Sequence, residues 1–114
     1  MGEFDLERRT TEFAKAVVRF CLKLPRGPIN DRLVSQVVGS SGSVGANYRE
    51  ANDALGKKDF SLRMKISRRE AKESLHWLEL IREANKGEVL TAGLLMKEAD
   101  ELKRILSAII EKTK

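Results

Sequence analysis

The sequence predicts an all-α protein, an antiparallel up-down-up-down four-helix bundle. Three observations carry this. Apolar residues recur in alternating steps of three and four through four separate segments. The only two prolines, Pro25 and Pro28, sit in one turn, so the segments are free of breakers. The composition is 41% apolar and 34% charged, is poor in aromatics at 5%, and is dominated by strong helix formers.

In the first segment Leu6, Thr10, Phe13, Val17, Phe20 and Leu24 form one helical stripe. Pro25-Arg26-Gly27-Pro28 stops it, because proline cannot continue a helix and glycine supplies the turn. The second stripe runs Val34, Val37, Ser41, Val44, Tyr48, Ala51 and Leu55, with Asn30 as the expected N-cap, Asp31 near the positive end of the dipole and Gly56 as the stop. Asp59 is placed to cap a third helix. That helix carries a stripe of Phe60, Met64, Ser67, Ala71, Ser74, Leu78 and Ile81, and a second strip of Leu62, Ile66, Trp77 and Leu80 beside it. Two apolar strips on one helix imply neighbours on two sides, as in a bundle or an oligomer. Asn85-Lys86-Gly87 ends it, and a fourth helix is expected from near Thr91, with Leu95, Ala99, Leu102, Leu106 and Ile109 as its stripe, widened by Leu94, Ile105 and Ile110. Helices of about 20 to 25 residues would make a bundle about 30 to 38 Å long with shallow left-handed crossings.

The stretch Gln36 to Ala51 places Gly39, Gly42 and Gly45 in the middle of the second helix, among Ser40, Ser41, Ser43 and Ala46. Each interior glycine costs about 1 kcal/mol relative to alanine, so the three together cost about 3. Contacts that larger side chains would block must offset this, and close helix packing is the expected reason. A phosphate loop is the alternative, but GxxxxGK[ST] is absent and no strand precedes the glycines. Asn47 and Glu50 lie one turn apart beside the stripe. Glu50 is expected to pair with a base on the third helix and Asn47 to bond a neighbouring backbone. The functional alternative is a nucleic-acid contact or a catalytic carboxylate.

One domain is expected from 114 residues. The lone cysteine, Cys21, excludes an internal disulfide and a cysteine metal cluster, and reads as a packed thiol in a reducing, cytoplasmic setting. The first residues are charged, unlike a signal peptide, and no run approaches the roughly 18 apolar residues of a membrane span. His76 is the only histidine and reads as a surface or partly packed residue, and Trp77 as core or subunit interface. No nucleophile, base and oxyanion set is apparent, so no enzyme, metal or cofactor is expected; an enzyme would need a site built between subunits.

The net charge of +5 is unevenly spread. Residues 57–72 hold seven bases (Lys57, Lys58, Arg63, Lys65, Arg68, Arg69, Lys72) against Asp59 and Glu70. Clustering of this kind suits a polyanion partner, the bland alternative being a solvated helix face.

Phe4 to Thr10 (FDLERRT), Ser43 to Ala51 (SVGANYREA), Lys58-Asp59-Phe60 and Glu73 to Leu80 (ESLHWLEL) resemble the bacterial four-helix-bundle proteins of the 23S rRNA-intervening sequence family. Val38 to Gly42 departs from the commoner form, which has a base near Gly39 and a threonine near Gly42. The resemblance implies a homopentameric, barrel-shaped ring with a central channel. It also implies kinship with the accessory protein of diversity-generating retroelements, which is basic, binds nucleic acid and partners a reverse transcriptase. Two functions are expected to compete. One is a non-enzymatic homo-oligomer that binds RNA or DNA with little sequence choice through Lys57, Lys58, Arg63, Lys65, Arg68, Arg69 and Lys72, joined by Arg49, with Gly42, Gly45, Asn47 and Glu50 as the structural motif. The other is a scaffold that docks a protein partner. Neither involves a membrane.

Overall fold

A computed structural model of the chain describes the backbone from residue 2 to residue 114 and the side chains from Leu6 onward; the side chains of Phe4 and Asp5 lie outside the described residues. Four helices follow one another: α1 (Gly2–Leu22), α2 (Pro28–Asn52), α3 (Lys57–Ala84) and α4 (Val89–Lys112), the last entered through one 3₁₀ turn at Lys86–Glu88. Among the described residues there is no strand. The bundle measures 44 × 24 × 19 Å. It is longer than the sequence suggests because α3 runs for 28 residues.

The helices pack in a closed cycle, α1 against α2, α2 against α3, α3 against α4, and α4 back against α1. Cross-helix bonds set the directions. Arg49 near the end of α2 reaches Glu7 near the start of α1 (3.2 Å). Along α2 and α3, Asn30 meets Asn85, Ser40 meets Ser74, and the Ser67 hydroxyl donates to the Val44 carbonyl (2.7 Å). Residue numbers rise on one helix as they fall on the other, so both pairs are antiparallel. Arg9 closes the cycle by donating to Glu98 (2.7 and 2.9 Å) and Glu101 (2.8 Å).

The whole α1 stripe, Leu6 to Leu24, is buried. So are Val37, Ser41, Val44, Tyr48 and Ala51 of α2, Met64 to Ile81 of the α3 stripe, and Leu95, Ala99, Leu102, Leu106 and Ile110 of α4, whereas Val34, Phe60 and Ile109 of the expected stripes are half-buried. Leu55 is a correction: α2 ends at Asn52, and Leu55 is 99% exposed in the turn that follows. The second strip on α3 is divided, with Ile66 and Trp77 half-buried and Leu62 and Leu80 exposed.

The small-residue tract is helical throughout, but only part of it makes a close approach. A Cβ on Gly45 would lie 2.9 Å from Thr10 Oγ1 and 3.3 Å from Thr10 Cβ, so a side chain here would have to displace α1. Around Gly39 and Gly42 a Cβ would meet nothing within 4 Å, so within one chain these glycines leave an open surface instead of admitting a neighbour. The serines do more. Ser40 and Ser41 are buried, and Ser40 and Ser74 share a bond of 2.9 Å across the α2–α3 seam. With one proton each, the Ser74 hydroxyl donates to the Glu70 carbonyl (2.9 Å) and accepts from Ser40, so both buried hydroxyls are satisfied.

Helix ends differ from expectation in detail. Gly27 is the N-cap of α2, with Pro28 at the first helical position, where its missing N–H costs nothing. Asn30 lies inside the first turn and its side chain serves elsewhere. Gly56 precedes α3 instead of ending α2, and Asp59, in the first turn of α3, accepts from the Leu55 N–H (3.3 Å). α4 begins at Val89, two residues before Thr91.

Candidate nucleic-acid interface

The seven bases of residues 57–72 divide into three sets. Lys65, Arg68, Arg69 and Lys72 line a groove between α3 and α4, over Leu62 and Ile66. Lys103 and Ser107 of α4 form the opposite wall. Lys57 sits at the end of the bundle, where Phe60, Lys112 and Lys114 surround a shallow concavity, and its neighbour Lys58 is exposed beside it. Arg63 turns toward α2, pairing with Asp59 (3.8 Å) and donating to Asn47 Oδ1 (3.4 Å).

Within the groove, ion pairing sorts the cations. Lys65, Arg68 and Lys72 make no ion pair among the described residues. Arg69 lies 3.7 Å from Glu70, and Lys103 lies 3.2 Å from Asp100, which also holds Arg104 at 2.8 Å. Bonds from Arg104 and then Lys103 hold the Asp100 carboxyl below its ordinary range. Glu70 behaves oppositely: burial first, then the nearby charge of Glu73, pushes its carboxyl up, against the weaker pull of Arg69. Three uncommitted cations therefore stand along one helix, and a fourth and fifth are loosely held.

Arg49 stands apart from this groove, bonded to Glu7 and to the Thr11 hydroxyl (3.0 Å), where it ties α2 to α1. Asn47 donates to the Ser43 carbonyl (2.9 Å), the backbone partner expected of it. Glu50 is exposed, and no ion pair joins it to α3. Gly42 and Gly45 belong to the α1–α2 side of the molecule.

Sequence reasoning missed Lys103 and Ser107. They lie in a stretch, residues 73–114, whose net charge is −1, so composition draws no attention to them. The available signal was their phase on α4, each one position after a buried leucine, Leu102 and Leu106, on the flank toward α3. His76 is exposed with its ring 5.0 Å from that of half-buried Trp77, and Cys21 is buried. Among the described residues no three His, Cys, Asp or Glu side chains gather as a metal site requires, and no helix is long and apolar enough to cross a membrane.

The profile of a family described as 23S rRNA-intervening sequence protein matches residues 3–108. Among solved structures, the chain is similar to a protein of unknown function from the S23 ribosomal protein family of Bacteroides thetaiotaomicron VPI-5482. The two are 27% identical, with a TM-score of 0.85, and the match covers 97% of this chain and 99% of that one. No curated protein matches. Sequence and fold agree over nearly the whole length, and the chain belongs to the 23S rRNA-intervening sequence protein family.

Proposed function

We propose that this protein is a non-enzymatic nucleic-acid-binding protein whose α3–α4 groove grips phosphates with little choice of sequence. The observation that carries this reading is the convergence of the unpaired Lys65, Arg68 and Lys72 with Arg69 and Lys103 in one groove. Cations without acidic partners repel one another, and a row of phosphates relieves that repulsion while releasing counterions. The family's name concerns 23S rRNA, which brings RNA forward as the first ligand to test. If Lys65, Arg68, Lys72 and Lys103 each neutralise one phosphate of a duplex, log K falls against log salt with a slope of about −3.6, or about 150-fold between 50 and 200 mM. Retention of a labelled structured RNA at those two salt concentrations tests this. No retention at low salt, or equal retention by the Lys65→Gln, Arg68→Gln, Lys72→Gln triple variant, rejects it.

The working form in this proposal is a homo-oligomer, with the pentameric ring as the specific expectation. Exposed apolar residues outside the groove occur on two faces: Val18 and Val38 on α1 and α2, Leu80 and Leu94 on α3 and α4. Two different faces that fit each other generate a closed ring when the rotation closes. Light scattering that returns five chain masses supports it, and a monomer at micromolar concentration rejects it.

A scaffold that docks another protein is the second reading. It draws on the apolar residues at the end where the α1–α2 and α3–α4 turns meet, notably Leu22 (80% exposed) and Leu90 (85%). A stoichiometric protein partner that survives nuclease treatment would favour it.

A further inference from the structure

We infer that the ligand of the α3–α4 groove is a double helix, held by its phosphate rows, and not a single strand held by its bases. The inference rests on the nucleic-acid reading above and narrows it.

Proteins that hold single strands supply aromatic platforms on which successive bases stack. None of the described residues that line this groove is aromatic. Phe13, Phe20 and Tyr48 are buried in the core. Phe60 belongs to the concavity at the bundle end. Trp77 is half-buried, with its ring nitrogen shielded. The floor is Leu62 and Ile66, which offer no π-face. The polar lining is Lys, Arg and Ser, with no Asn or Gln to read an adenine edge and no carboxylate to read cytosine.

The groove instead supplies charge at regular intervals along a helix. Lys65, Arg69 and Lys72 recur about once per helical turn, close to every 5.4 Å, and Lys65 to Lys72 spans about 10 Å of α3. Lys103 comes from a second helix, so charge faces the ligand from two walls. A duplex carries a phosphate per about 1.7 Å of axis and is already ordered, whereas a single strand carries about half that density. The single strand must also be ordered on binding, an entropic cost that no base stacking offsets here. The double helix is favoured on both counts.

The test compares three fluorescent probes on the full chain at 50 mM salt: an RNA duplex of about 20 base pairs, one of its strands redesigned to avoid self-pairing, and a duplex of scrambled sequence. The expected result is tighter binding of the duplex by about tenfold or more over the single strand, with the scrambled duplex within about twofold. Lys103→Gln is expected to lower the salt slope for the duplex by about 1. A duplex preference below about threefold, or a slope that Lys103→Gln leaves unchanged, overturns the inference while leaving nucleic-acid binding intact. Absence of binding to all three probes rejects the underlying reading as well.

Discussion

Asn30 and Asn85 clasp each other through two reciprocal amide bonds of 2.9 Å, across 55 residues of chain. Asn30 also donates to the Pro25 carbonyl and Asn85 to the Ile81 carbonyl, both at 2.9 Å. Two side chains thus fasten the α1–α2 turn to the end of α3. Truncating either one leaves the other with unmet donors or acceptors in a partly buried place. Asn30→Ala and Asn85→Ala are each expected to cost about 1–3 kcal/mol in urea unfolding. The double variant should cost less than the sum of the two by about 0.5 kcal/mol or more, because the second truncation breaks a clasp already open. Strict additivity would show that the two amides act independently.

Gly45 and Thr10 set the separation of α1 and α2. Thr10 is fully buried, and its hydroxyl is engaged with the Glu7 carbonyl at 3.0 Å, so it cannot swing away cheaply. Gly45→Ala should therefore destabilise by about 1–3 kcal/mol through overpacking, against a helix-propensity gain of about 1. Thr10→Ala in the same chain should return part of the loss by removing the atoms in the way. Gly39→Ala and Gly42→Ala, with open space around them, should each stabilise an isolated chain by up to about 1 kcal/mol. Thermal melts of the four variants check the contrast. A Gly42→Ala chain that is no more stable, and that loses its oligomer, would place a neighbouring copy over α2.

Cys21 is buried, and burial pushes its thiol up to about 11. At pH 8 only about one molecule in a thousand then carries the thiolate, the form that reacts with alkylating agents or disulfide reagents. The expected outcome is slow modification of the folded protein at pH 8 and prompt modification of one thiol per chain in urea. Equal rates in the two conditions would mean that the α1–α2 end opens readily.

Period made the core legible. Spacing alone assigns the stripes from Leu6 to Leu24 and from Phe60 to Ile81 to the interior, and every stripe residue but half-buried Phe60 is buried. Period could not show where a helix stops. Leu55 keeps step with Ala51, but the Asp53 N–H already closes on Glu50 and Ala51, and the chain has left the helix. The three glycines look equivalent in composition and are not equivalent in space. Gly45 follows Val44 and lies four residues after Ser41, on the buried flank, while Gly42, one turn earlier on the same α1–α2 side, and Gly39 are exposed. The base-rich segment was plain in the sequence, but its division was not. Whether Arg63 joins Lys65 or turns to Asp59 and Asn47 depends on what α2 presents, and Lys103 joins the groove only through the α3–α4 pairing.

Glu70 offers a test in which stability and charge move together. Its side chain is 17% exposed and its carboxyl titrates above the ordinary range, chiefly through burial. A folded-state value raised above the unfolded one means that the folded chain holds the proton more tightly. That preference favours the fold at low pH and is lost as pH rises through the unfolded and then the folded value. At neutral pH the ionised Glu70 is therefore a small liability, partly relieved by Arg69. Glu70→Gln should raise stability at pH 7 by a few tenths of a kcal/mol, with the gain shrinking toward pH 4. It should also free Arg69 and tighten RNA retention, since one negative charge leaves the edge of the groove. Urea unfolding at the two pH values and retention at low salt check both halves. A variant that is less stable at pH 7 than at pH 4, relative to the parent, would show that the Arg69 contact outweighs burial at this site.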